Sequence, residues 1–254
     1  MTTTRTRAPG RLAGIALIGL LLGLLLPTAA VSAAARPYKL DVAARSDFVA
    51  QTNFVQCVGA SMQMMLNMIE SGRDRTARTQ LRLQKLARAW SGTRPDGRQR
   101  QGASVRGWAA GLTIEGGGAY MLVGTTTLDE ALLAAAKAIA ETGRPVGLLV
   151  WRGRHAWVMS GFRATGDPLT DPNARVTSAN IYDPLYPHGS SVWGPSPRPG
   201  EALSPSEVGR QFVQRRNNTS WLTGPGGETS QLGGKYVLVL PYTPDLHARA
   251  VNTL

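Results

Sequence analysis

Residues 51–69 are apolar around most of a helical circumference. At the helical period Val58, Met62, Met65, Leu66 and Ile69 share one face, and Cys57, Ser61, Met64 and Met68 form the stripe beside it. Only Gln63, Asn67 and Glu70 remain for water, so the pattern predicts a buried helix that Gly72 ends and whose N-terminal end opens at a surface or cleft. Residues 76–90 predict a second amphipathic helix with Leu81, Leu83, Leu86 and Trp90 on its apolar side, and residues 103–111 a short third one. The capping box Thr127-Leu-Asp-Glu130 opens an alanine-rich helix that should stop at Gly143, ahead of Pro145.

The period then changes. Residues 146–151 and 155–162 are apolar runs flanking Arg152-Gly153-Arg154 and predict a hairpin; residues 119–123, 180–183 and 236–240 predict further strands. Residues 36–50 are expected to run along the surface into a turn at Gln51. Residues 163–178 and 187–199 are expected to be turn-rich loops, and the box Ser204-Pro205-Ser206-Glu207 to open a helix reaching about Arg216. The expected class is α+β, a helical half with a central N-terminal helix packed against a mostly antiparallel sheet half.

The first 33 residues have a separate logic. Arg5, Arg7 and Arg11 precede an apolar run over residues 12–26, followed by Pro27 and a series of small residues, which is the layout of a secretory signal peptide cleaved near Ala33 to Ala35. Residues 34–254 would then be one domain, secreted or in the cell envelope, with no stable membrane anchor after cleavage. Removing three arginines and no acids lowers the formal charge from +12 to +9, and only Lys39, Lys85, Lys137 and Lys235 are lysines. Such a surface suits an anionic cell-envelope polymer. No dense basic run with interleaved aromatics points to nucleic acid.

Cys57 is the one cysteine of the chain, so it has no intramolecular disulfide partner. His155, His188 and His247 are too dispersed for a zinc site, and no metal or other cofactor is called for. At a helix start, unpaired amides and the positive end of the helix dipole favour an anion, which is how a nucleophilic thiol is prepared. His155, at the start of a strand, is the candidate base, and Asp183, before Pro184, the candidate orienting acid, with Asn180, Asp167 and Asp171 as alternatives. Trp193, in the long loop, and Trp157, beside His155, are candidates to line a substrate pocket.

Gln51 six residues before Cys57, Cys57-Val-Gly-Ala-Ser-Met opening a helix, His155 beginning a strand and Asp183-Pro184 ending a later one resemble the papain-like cysteine peptidases. The likeness is closest to the secreted relatives of the bacteriocin-leader (double-glycine) peptidases, and covers residues 40–242 by order of elements. It departs at Val58, where many relatives carry glycine or tryptophan, and in a longer loop between His155 and Asp183. The resemblance implies hydrolysis of peptide or amide bonds through a Cys57-His155-Asp183 triad, with Gln51 and the Cys57 amide as oxyanion donors and a peptide or protein as substrate. Gln56 competes with Gln51 but lacks the matching spacing. The alternatives are a non-catalytic envelope-binding module on the same fold and a thiol-dependent acyl or peptide transferase.

Overall fold

A computed structural model describes residues 36–92, 101–216 and 232–241, together with Met1 and Thr2. The expected signal segment and His247 lie outside the described residues. Among those residues no helix is long and apolar enough to cross a membrane.

The elements run β1 (Tyr38–Asp41), a single 3-10 turn (Arg45–Asp47), α1 (Cys57–Glu70), α2 (Ala77–Ala89), α3 (Val105–Ile114), β2 (Tyr120–Thr125), α4 (Leu128–Thr142), β3 (Val146–Val150), β4 (His155–Ala164), β5 (Val176–Tyr182), β6 (Gly189–Ser190), β7 (Gly194–Pro195), β8 (Glu201–Leu203), α5 (Pro205–Gly209) and β9 (Tyr236–Pro241). Local chemistry fixes several ends as expected. Thr127 accepts from the Glu130 amide while Glu130 reaches back, and Gly143 closes α4 in the left-handed region at φ 64°. Thr76 caps α2, its side chain accepting from the Thr79 amide. At the end of α1 the left-handed position falls on Ser71, φ 53°, one residue before Gly72.

Strands order as β2-β9-β3-β4-β5-β8, and every pairing in this sheet is antiparallel. Residues 36–50 stay largely at the surface, as expected, but begin with a strand: β1 pairs with the second half of β4, Asp41 opposite Gly161, where β3 has already left that edge. Gly161 is required there, since a Cβ would lie 2.5 Å from the Leu40 carbonyl oxygen.

The sheet is covered on both faces. Leu149, Ala156, Val158, Val237 and Val239 pack with α1, α2 and α3, while Leu148, Val150, Trp157, Met159, Leu238 and Leu240 pack with α4 and with Val208 of α5. A strand buried on both faces reads as a continuous apolar run, and the runs at 146–151 and 236–240 are of this kind. The expected pair of halves is therefore corrected to a sheet between two helical layers. The protein is α+β with an antiparallel sheet, as expected.

Three further expectations fail where polar side chains are buried against partners outside their own helix. Gln63 and Asn67 are buried: Asn67 Nδ2 donates to the Asp74 carbonyl at 2.9 Å, and its Oδ1 accepts from the Asp74 amide at 3.1 Å. Helix α2 buries Gln80, Leu83, Gln84 and Ala87 and leaves Leu81 and Trp90 exposed. Helix α5 stops at Gly209, and Gln211, beyond it, turns inward to the β3-β4 turn.

Candidate active site

Cys57 is the first residue of α1 and is half-buried. The segment before it is held from α2. Gln80 Nε2 donates to the Ala50 carbonyl at 2.9 Å, and its Oε1 accepts from the Thr52 amide at 2.8 Å. Gln84 Nε2 donates to the Val55 carbonyl at 2.9 Å, and its Oε1 accepts from the Gly59 amide at 2.8 Å. These buried glutamines bind loop and helix start into one rigid piece. The close approach needs Gly59, whose Cβ would stand 2.7 Å from the Gln80 carbonyl oxygen. Of the first-turn amides, Gly59 is taken by Gln84, while Cys57 and Val58 have no acceptor within the helix by their position.

His155 opens β4 and is 4% exposed, and Asp183 follows the last residue of β5 and is fully buried. Because β4 and β5 are paired neighbours, their ends bring the two side chains together. His155 Nε2 lies 2.6 Å from Asp183 Oδ1, which also accepts from the Leu185 amide at 2.8 Å. With Nε2 engaged, Nδ1 is the nitrogen left for sulfur, and Cys57 acts on the ring through a hydrogen bond and its charge. Burial pulls the imidazole pKa down. The Asp183 hydrogen bond and the Cys57 sulfur outweigh it and raise the value from 6.5 to about 9. Burial likewise pushes the Asp183 carboxyl up, but His155 overcomes this and holds it below its ordinary 3.8. Asp183 Oδ2 and the Ser196 hydroxyl are both buried without a direct partner, and that hydroxyl is near enough to lower the carboxyl further.

Gln51 reaches the same corner. Its amide donates to the Pro184 carbonyl at 2.7 Å, which fastens the turn before Cys57 to the residue after Asp183. Its side-chain Nε2 donates to the Asn53 carbonyl at 2.8 Å, leaving one hydrogen, and its Oε1 is buried without a partner. Gln56 is spent inside the loop, accepting from the Thr52 hydroxyl at 2.5 Å. The other candidate orienters are elsewhere. Asn180 donates to Asp41 at 2.6 Å, and Asp167 and Asp171 accept from amides of their own loop. His188 is exposed.

No protein-family model, curated protein or solved structure matches the chain. The site is therefore read on its geometry.

Trp157 is fully buried in the core under α4, which corrects its expected place in a substrate pocket; Trp193 lines a cavity together with Trp151 and Arg152. Missed in the sequence was Trp151, whose indole stacks on the His155 ring with centroids 4.1 Å apart and planes 23° from parallel. Trp151 and Arg152 are the consecutive non-glycine residues at positive φ, 56° and 57°. Gln211 holds them: its carbonyl accepts from the Trp151 amide at 2.9 Å, and its Oε1 from the indole Nε1 at 2.8 Å. An aromatic next to the Arg152-Gly153-Arg154 turn was the available signal. Nothing local in the sequence marked Gln211.

Proposed function

We propose that the chain is a secreted papain-like cysteine peptidase, akin to the secreted relatives of the double-glycine peptidases, that hydrolyses peptide or amide bonds. The observation that carries the reading is the buried His155-Asp183 pair at 2.6 Å, with the Cys57 sulfur acting on the same ring. A nucleophile at the start of a buried helix, facing a histidine and an acid at the ends of adjacent antiparallel strands, supports the papain-like reading of the fold.

In this mechanism Asp183 holds the ring and stabilises the imidazolium. The Cys57 thiolate attacks the carbonyl carbon, and the oxyanion accepts hydrogen bonds from the Cys57 amide and the free hydrogen of Gln51 Nε2. His155 Nδ1-H then protonates the departing nitrogen as the C-N bond breaks, leaving a thioester on Cys57. Water attacks the thioester while Nδ1 takes its proton, and the acid product and thiolate are released. Trp151 covers one face of the imidazole and keeps water from the His155-Asp183 bond.

The test is labelling of the purified protein by an electrophilic thiol probe, followed by a peptide-library cleavage profile. Rapid labelling at Cys57 that His155→Ala abolishes, together with cleavage, is the expected result. Labelling at the rate of a free thiol in both proteins would remove the reading.

A further inference from the structure

The turn that carries Trp151 also forms one wall of a cavity of about 200 Å³, which Arg152, Arg154, Val192, Trp193 and Arg216 help to line. Three arginines from two segments line it, and no acid does. Among the described residues none of the three forms an ion pair with a carboxylate. Arginines gathered on one cavity repel one another, and an anion relieves that repulsion through charge-assisted, often forked hydrogen bonds. Two indoles beside them supply flat apolar walls for the rest of a ligand.

The geometry is maintained at a cost. Trp151 and Arg152 both hold the left-handed backbone that residues with a side chain rarely adopt. They are pinned from outside by Gln211, which also donates to the Pro195 carbonyl at 3.0 Å beside the Trp193 loop, and by the Arg216 amide on the Arg152 carbonyl at 3.3 Å. Gln211 thus couples both indole-bearing walls. The position relative to the chemistry follows from Trp151, which has one face in common with His155 and also lines the cavity. Since His155 must reach the departing nitrogen, a ligand seated against Trp151 is assigned to the leaving-amine side of the scissile bond.

We propose that this cavity receives a carboxylate on the leaving-amine side of the substrate, so that amides whose departing amine bears an acidic group are preferred. The occupant's class rests on the peptidase reading, whereas the cavity's affinity for a carboxylate does not. The carboxylate comes either from an acidic side chain or from the free C-terminus of a short peptide.

Tryptophan fluorescence of Cys57→Ala protein, titrated with Glu-Ala and Gln-Ala as free acids and as C-terminal amides, reads the cavity without turnover. A side-chain occupant makes Glu-Ala amide bind at least about tenfold tighter than Gln-Ala amide; a terminal one makes Gln-Ala acid bind tighter than its amide by a similar factor. Either preference should weaken with added salt and disappear in Arg154→Gln/Arg216→Gln protein, or in Arg152→Gln should that pair fold poorly by circular dichroism. Equal binding of all four dipeptides, or a preference that survives the arginine substitutions, overturns the proposal. A second arm compares wild-type cleavage of quenched peptides that differ only as Glu or Gln after the scissile bond, or as free acid or amide at a C-terminus in that position. Arginine-dependent binding without any cleavage keeps the cavity and removes the peptidase; cleavage with neither binding nor rate favouring a carboxylate does the reverse.

Discussion

Replacing Asp183 by asparagine should remove a charge and little else. Oδ1 accepts from both His155 Nε2 and the Leu185 amide, so the asparagine carbonyl oxygen is held at that position. The new amide nitrogen then falls where Oδ2 stood, beside the Ser196 hydroxyl, which can accept from it. What is lost is the difference between a charge-assisted hydrogen bond to the imidazolium and a neutral one, roughly 1.5–3 kcal/mol against about 1. At 1.36 kcal/mol per pH unit, this difference of about 0.5–2 kcal/mol moves the imidazole by roughly 0.4–1.5 units, about one at mid-range. The imidazole pKa of about 9 should therefore fall toward 8 or below, with burial then acting against a weaker opponent. The assay is the pH dependence of peptide turnover in wild type and Asp183→Asn, together with that of Cys57 alkylation by iodoacetamide in wild type and His155→Ala, on protein shown to be folded. The wild-type turnover profile should be bell-shaped, with limbs that belong to the coupled pair, because the imidazolium must protonate the departing amine. In Asp183→Asn the alkaline limb of turnover should move down by about one unit, and in His155→Ala the alkylation of Cys57 should return to that of an ordinary thiol. Superimposable wild-type and Asp183→Asn curves would mean that Asp183 does not sustain the imidazolium, and superimposable wild-type and His155→Ala curves that Cys57 is not paired with this histidine.

Gln51→Ala should lower turnover roughly a hundredfold with little change in thermal midpoint, the usual size for one oxyanion donor; an equal loss from Gln56→Ala and none from Gln51→Ala would reverse the assignment. Gln84→Ala removes two hydrogen bonds that fasten the Cys57 loop and should cost about 2 kcal/mol, read by urea denaturation, with slower alkylation of Cys57; unchanged stability and rate would show that α2 does not hold the site. Because the folded His155 pKa is raised, its contribution to stability is complete below pH 6.5 and is lost as pH rises through about 9. The lowered Asp183 value acts oppositely, stabilising above its ordinary 3.8 and fading as pH falls through the folded value. The melting temperature should therefore decline from pH 7 to 10 in wild type and decline less in His155→Ala, and parallel curves would refute the linkage.

Local sequence determined the elements whose signals are local. Thr127 to Gly143 carries both ends of α4, the run from Cys57 carries α1, and two apolar runs around Arg152-Gly153-Arg154 carry the hairpin that presents His155. Nearest neighbours set backbone angles and caps, so these features are legible without the rest of the chain. The candidate site was readable in part because its residues lie at element ends: Cys57 starts α1, His155 starts β4 and Asp183 follows β5. Tertiary structure decided which polar groups are buried. Gln80 and Gln84 are not among the apolar positions of α2, yet both are buried, because the loop before Cys57 has backbone groups that need partners and these glutamines supply them. Trp151 rests on His155 because Gln211, sixty residues later, holds the turn. The coverage of both sheet faces, the pairing of β1 with β4 and the gathering of Arg152 and Arg154 with Arg216 likewise join distant segments. The cost of leaving a buried polar group unpaired is paired off wherever the fold brings a partner, and that distance in sequence carries no periodic signal.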